Sequence, residues 1–148
     1  MNKGAKLSNE HHIVRHVASK KLIKDDNENV IGFFPEAFAP RPVDLNALSV
    51  NWLEYFDGDY APNVCQSIQL LRQTRGVTKN SKCAFSIGNV AIIKKISQEN
   101  GSPVRIVFDG HVINPAHSLI RDLAPEDTSL LEALSTDVFE LILNSDIP

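Results

Sequence analysis

The sequence predicts an α+β fold: a single mixed β-sheet of about five strands with three helices packed on it, in the order β-β-β-α-β-α-β-α. Three observations predict it. The first fifty residues hold short alternating or β-branched runs broken by proline, glycine and acidic turns. The second half alternates short apolar runs with longer segments whose apolar residues recur at helical spacing, which suggests at least one parallel strand pair. The chain has 148 residues and 43% hydrophobic content, which fits one globular domain over residues 12–148 behind a flexible tail at 1–11.

The elements follow from local chemistry. His12-Ile13-Val14-Arg15-His16-Val17 alternates and is β-branched, so it reads as the first strand. Residues 25–29 form a polar turn. A short strand near Ala37-Phe38-Ala39 ends at Pro40-Arg41-Pro42, because proline removes the ladder donor. The third strand is placed at 47–52. After Asp57-Gly58-Asp59, Pro62 suits a first helical turn, and Val64, Ile68 and Leu71 repeat along one face. Arg72 and Arg75 complement the dipole at its end, and Gly76 closes it. Cys83 to Ile87 is a strand. Asn89 caps a second helix whose stripe is Ile92, Ile93 and Ile96, ended by Gly101. Val104 to Phe108 is a buried-type strand, and 109–121 reads as loop with one helical turn. The last helix starts at Ala124-Pro125-Glu126-Asp127 and runs to about Asn144, with Leu130, Leu131, Leu134, Val138, Leu141 and Ile142 on its apolar face.

Composition excludes several classes. No run approaches the ~20 apolar residues of a membrane span, and the start lacks an apolar signal core, so the expectation is a cytoplasmic protein without membrane contact. Two cysteines outside any CxxC pattern, Cys65 and Cys83, are expected as reduced packing thiols. The net charge of −3 conceals four blocks of alternating sign: residues 1–24 carry +5, 25–60 carry −7, 61–108 carry +6 and 109–148 carry −7. Such blocks attract one another inside a fold, or one basic block faces an anionic partner. A sequence pI near 5.9 argues against non-specific duplex binding, which depends on phosphate neutralisation.

Four segments carry candidate chemistry. In Leu48 to Phe56, Leu48, Val50 and Trp52 point one way on a strand, and Ser49, Asn51 and Leu53 the other. Ser49 and Asn51 are candidate ligand-binding groups, and Glu54, just past the strand, is a candidate general base. In Asp109 to Ser118, His117 with Asp109 or His111 forms a candidate catalytic base and orienter, the carboxylate fixing the imidazole tautomer. The His-x5-His spacing matches no metal signature, so no metal site is assigned. Arg15 and His16 on the first strand are candidate ligand-binding residues for a phosphate or ribose. Ser86-Ile87-Gly88-Asn89 reads as a tight turn. Lys79, Lys82, Lys94, Lys95 and Arg105 form a candidate nucleic-acid-binding set, which Arg72 and Arg75 could join.

Val14-Arg15-His16-Val17, the Ala37-Phe38 and LSVNWLEYF core (Leu48 to Phe56), and Pro115-Ala116-His117 together resemble a family of short bacterial hypothetical proteins. That resemblance implies a bacterial cytoplasmic origin and carries over no particular activity. A looser likeness is to small ADP-ribosyltransferase-like folds, which would cast His16, Ser49 and Glu54 or Glu126 as groups holding NAD; the spacing departs from that pattern. No cofactor follows from the residues. The leading expectation is a non-catalytic binding or accessory protein that acts through contacts with another protein or itself. The alternatives are a small nucleotide- or nucleic-acid-processing enzyme with a His/Asp/Glu site, and a nucleic-acid-binding module using the 72–105 basic block.

Overall fold

A computed structural model describes all 148 residues. The fold is mixed α+β, as expected, but its sheet is larger and wholly antiparallel. Six strands pair in the order β6-β7-β4-β1-β5-β8, and β2 and β3 form a separate hairpin. The strands are β1 His12–Ala18, β2 Leu22–Lys24, β3 Val30–Phe33, β4 Leu48–Trp52, β5 Cys83–Asn89, β6 Arg105–Phe108, β7 His117–Arg121 and β8 Glu140–Leu143. The helices are α1 Tyr60–Arg75, α2 Val90–Glu99 and α3 Thr128–Ala133. No helix is long and apolar enough to cross a membrane.

Side-chain alternation puts a core on each face of the sheet. Val14, Leu53, Phe85 and Ile87 pack against Val64, Ile68 and Leu71 of α1. Ile13, Val17, Leu48, Val50 and Ala84 face the larger core with Ile93 of α2 and Leu130, Leu131 and Leu134 beyond it. Each fully buried Leu, Ile or Phe stabilises the fold by about 1.5–3 kcal/mol. The alternation read for β4 therefore holds, with Leu48, Val50 and Trp52 on one face and Leu53 on the other.

The helix signals in the middle of the chain also hold. Gly76 ends α1 in the left-handed conformation at φ 67°, donating to the Arg72 carbonyl. The Asn89 side chain accepts from Ile92 N, capping α2. On α2, however, Val90 and Ile93 are the buried residues and Ile92 is exposed.

Several expectations are corrected. The Ala37 region is not a strand: Pro35–Phe38 forms a 3-10 turn, whose fixed proline φ suits a helical start. The 109–121 segment is not loop to its end, since His117–Arg121 pairs with both β4 and β6. No strand pair is parallel. The last helix does not reach Asn144. It widens into a π-type turn over Leu134–Val138, and Glu140–Leu143 becomes an edge strand on β5. Leu141 and Ile142 thus lie on a strand, and the helical spacing was coincidental. Residues 1–11 are not a free tail. Leu7 is buried, and the backbone N–H groups of Gly4 and Leu7 donate to the carbonyls of Phe108 and Ile106 on β6, while Phe108 N donates to the Ala5 carbonyl.

The end of the chain is held by a buried arginine. Arg72 donates to the Asn144 side chain at 2.9 Å and to the carbonyls of Asn144, Ile147 and Pro148 at 2.7–2.8 Å. Asn144 in turn donates to the carbonyls of Thr78, Lys79 and Ser81. Arg72→Ala is expected to lose about 3 kcal/mol, because a charged donor set vanishes and buried acceptors stay unpaired. Urea denaturation of Arg72→Ala beside exposed-site Lys95→Ala measures this; equal midpoints would refute the clamp.

Candidate functional site

The site forms where two neighbouring strands part. β1 and β4 pair only at Ile13 with Trp52 and Val14 with Asn51, whereas β1 pairs with β5 along its whole length. Past Val14 the β1–β4 ladder stops, and the Arg15 side chain fills the opening. Its Nη1 donates to the Ser49 carbonyl at 2.7 Å and its Nε to the Ala37 carbonyl at 2.9 Å. A guanidinium therefore replaces the missing ladder bonds. Burial, then the charge of Arg75, lowers its pKa to about 10, which leaves it protonated at neutral pH.

Beside this opening lies a cavity of about 220 Å³. Ser49 and Asn51 of β4, His16 of β1, His117 of β7 and Arg75 of α1 all line it. Asn51 pairs with His117 across the β4–β7 ladder, and Ser49 is two residues along on the same face. The imidazole of His117 reaches back diagonally, with Nε2 3.1 Å from Ser49 Oγ. Its Nδ1 lies 3.0 Å from Asp109 Oδ2 and 3.3 Å from the Asp109 carbonyl. Because an ionised carboxylate only accepts, Nδ1 carries the hydrogen and Nε2 is left to accept from the serine hydroxyl. His117 is largely covered, with 15% of its side chain exposed against 32% for Asp109.

Two features hold this geometry. Asn51 and Asn114 exchange side-chain amide hydrogen bonds at 3.0 and 2.8 Å, and both are buried. They tie the 110–116 loop to β4. Gly110 lies in that loop where any Cβ would overlap the Phe108 ring and the Pro115 carbonyl oxygen. His111 accepts from Asn114 N at 3.3 Å, and its ring lies 5.2 Å from that of His117.

His16 stands apart from this relay. Its ring meets Phe85 edge-on at 5.7 Å, and its buried Nε2 has no hydrogen-bond partner. Burial, then the charges of Arg75 and Arg15, lowers its pKa to about 4, so it is neutral at pH 7.

The structure thus gathers six of the sequence candidates, Arg15, His16, Ser49, Asn51, His111 and His117, around one cavity, with Asp109 bonded to His117. Glu54 is not among them, and its role as a general base here is corrected. Its carboxylate clasps His12, accepting from the backbone N at 2.8 Å and meeting Nδ1 at 2.8 Å. The likeness that cast His16 and Ser49 with Glu54 or Glu126 as an NAD-holding set loses Glu54 in this way, and Glu126 does not line the cavity either. Trp52 is a core wall with a polar edge, its Nε1 donating to His11 Nδ1 at 3.1 Å.

Three members of the basic set have local partners. Arg105 is paired with Asp122 at 2.7 Å, Lys95 lies 4.0 Å from Glu99, and Lys94 donates to Asn9. Lys79 and Lys82 border a separate groove beside the β2–β3 hairpin. No group of three or more His, Cys, Asp or Glu residues is placed to hold a metal ion, and both cysteines are free and partly buried. Thr74, Asn114 and Ile113, which no local sequence signal marks, also line the cavity. Arg75 reads from the sequence as a helix-terminal cation and as a residue that could join the basic set, not as part of this cavity.

Truncating Asn51 or Asn114 singly should cost about 1–3 kcal/mol, since the other amide is left buried and unpaired. The double variant should cost clearly less than the sum. A double-mutant cycle in urea reads this coupling, and strict additivity would refute it. His16 gives a pH signature. The unfolded chain takes up its proton near 6.5 and the folded chain only near 4, so stability falls as pH drops through that window. His16→Gln should flatten the fall between pH 6.5 and 4 relative to the parent; identical slopes would refute the assignment. Comparison of the chain with protein-family models, curated proteins and solved structures finds no match.

Proposed function

We propose that this protein is an ester hydrolase in which Ser49 is the nucleophile, His117 the general base and acid, and Asp109 the group that orients His117. The observation that carries this reading is the unbroken relay from Ser49 Oγ to His117 Nε2 and from His117 Nδ1 to Asp109 Oδ2, at 3.1 and 3.0 Å. Such relays recur on unrelated folds and are identified by geometry and role.

The chemistry follows from those distances. Ser49 Oγ bonds to the ester carbonyl carbon while its proton passes to His117 Nε2. Asp109 stabilises the imidazolium that results. The tetrahedral species collapses, the carbon–oxygen bond to the alcohol breaks, and the leaving oxygen takes the proton from Nε2. Water then repeats the sequence on the acyl-serine and releases the acid. The positive charge of Arg15 and Arg75 at the same cavity favours the negative charge that develops on the carbonyl oxygen.

A second reading, a non-catalytic protein acting through contacts, is favoured by a different observation. Val43, Leu45, Val112 and Ile113 present apolar side chains that are at least 77% exposed. Light scattering and capture experiments with Val112→Asp and Ile113→Asp examine it. It is refuted if a lone monomer turns over esters.

Hydrolysis of p-nitrophenyl acetate should fall at least ~10³-fold in Ser49→Ala and His117→Ala, and comparably in Asp109→Asn, which imposes the wrong tautomer. A fluorophosphonate probe should label Ser49 alone. Labelling elsewhere, or unchanged turnover in Ser49→Ala, would sink the hydrolase reading.

A further inference from the structure

We propose that the substrate carries a phosphate group, held by Arg15, Lys21 and Arg75 beside Ser49. This deepens the Ser49 hydrolase reading by naming its substrate class.

Three adjoining cavities converge on these cations. The one holding Ser49 and His117 is lined by Arg15 and Arg75, a second of about 170 Å³ by Arg15, His16, Lys21 and Arg75, and a third of about 230 Å³ by Arg15, Lys21, Arg41, Ser49 and Arg75. Arg15 and Arg75 border all three, so the cations cluster around adjoining hollows, and Ser49 lines two of them.

The positive charge there is uncompensated. Arg75 has no ion pair and no hydrogen-bond partner, and Lys21 has no ion pair. Arg15 commits Nε and Nη1 to carbonyls, while its Nη2 donates to no protein acceptor and is not sealed from solvent. Besides Asp109, which is engaged by His117 Nδ1 at 3.0 Å, two acids act on these cations. Asp44 is held by Arg41 at 2.9 Å, and the charge of Glu36 acts on Lys21 without an ion pair. Against Arg15, Lys21, Arg41 and Arg75 they leave two positive charges. The cations also depress one another's pKa: burial, then Arg15, Lys20 and Arg75 lower that of Lys21. A fold keeps like charges together at such a cost where an anion joins them. One carboxylate is matched by a single forked guanidinium, whereas a phosphate carries close to two charges and three acceptor oxygens. Two net charges, with donors from three side chains, fit the phosphate.

The test is calorimetric titration of inorganic phosphate at pH 7.5 into the Ser49→Ala protein, so that binding is read without turnover. Phosphate should bind Ser49→Ala and the parent alike. Affinity should drop by at least ~10-fold in Arg75→Ala and in Lys21→Ala, and acetate should bind at least ~10-fold more weakly than phosphate. Lys95→Ala, remote from the hollow, should match the parent. Absence of phosphate binding, equal loss in Lys95→Ala, or acetate binding as tightly as phosphate would each overturn the proposal. Phosphate binding that follows this pattern in a protein whose Ser49 resists the fluorophosphonate probe would retain the phosphate site and reject the hydrolase. Ser49 labelling without phosphate binding would do the reverse.

Discussion

The rest of the site depends on the place where β1 and β4 stop pairing and Arg15 takes over. A continuous ladder would present His16 opposite Ser49 with no room between them. Instead the strands hold together at Val14 and Asn51 and diverge beyond, and a guanidinium spans the opening to the Ser49 carbonyl. The unpaired backbone oxygen gains a charged donor, and the strand end gains space for a ligand. Arg15 thereby fixes the backbone of the residue whose hydroxyl meets His117.

Around that opening the polar groups are positioned by rigid parts. Ser49 and His117 lie on neighbouring strands of one sheet, and Asp109 directly follows the strand beside them. Only the turn between Asp109 and His117 is irregular, and it is pinned by the Asn51–Asn114 pair and by the tight fit at Gly110. Hydroxyl, imidazole and carboxylate are thus aligned before any ligand arrives, which is the condition under which such groups lower a barrier.

The segregated charges also find a physical account. Some blocks do pair internally or with each other, as Arg41 with Asp44 and Arg105 with Asp122. These pairs are exposed and add little to stability. The basic residues that stay unpaired are the informative ones. Arg15 and Lys21 come from the first basic block and Arg75 from the second, and the sheet and α1 bring them to one hollow. Charge segregation along the chain therefore becomes a local field only after folding.

By itself the sequence determined the elements whose signals are local. The alternation of β1 and β4, the Gly76 and Asn89 caps and the apolar face of α1 all follow from backbone and side-chain chemistry within a few residues. It also singled out Ser49 on a strand, and Asp109 and His117 in the segment after another strand, as candidate polar groups. It did not reveal β7, whose inward residues include a serine, nor β8, whose leucines imitate a helix. Their conformation is set by pairing with strands distant in the chain. The same holds for the relay itself. Ser49 and His117 are 68 residues apart, and only the antiparallel register of β4 and β7 makes them neighbours, while Glu54, five residues from Ser49, is turned to His12. Strand pairing is a non-local choice made by the whole core, so the chain could name these polar groups but only the tertiary structure could join them.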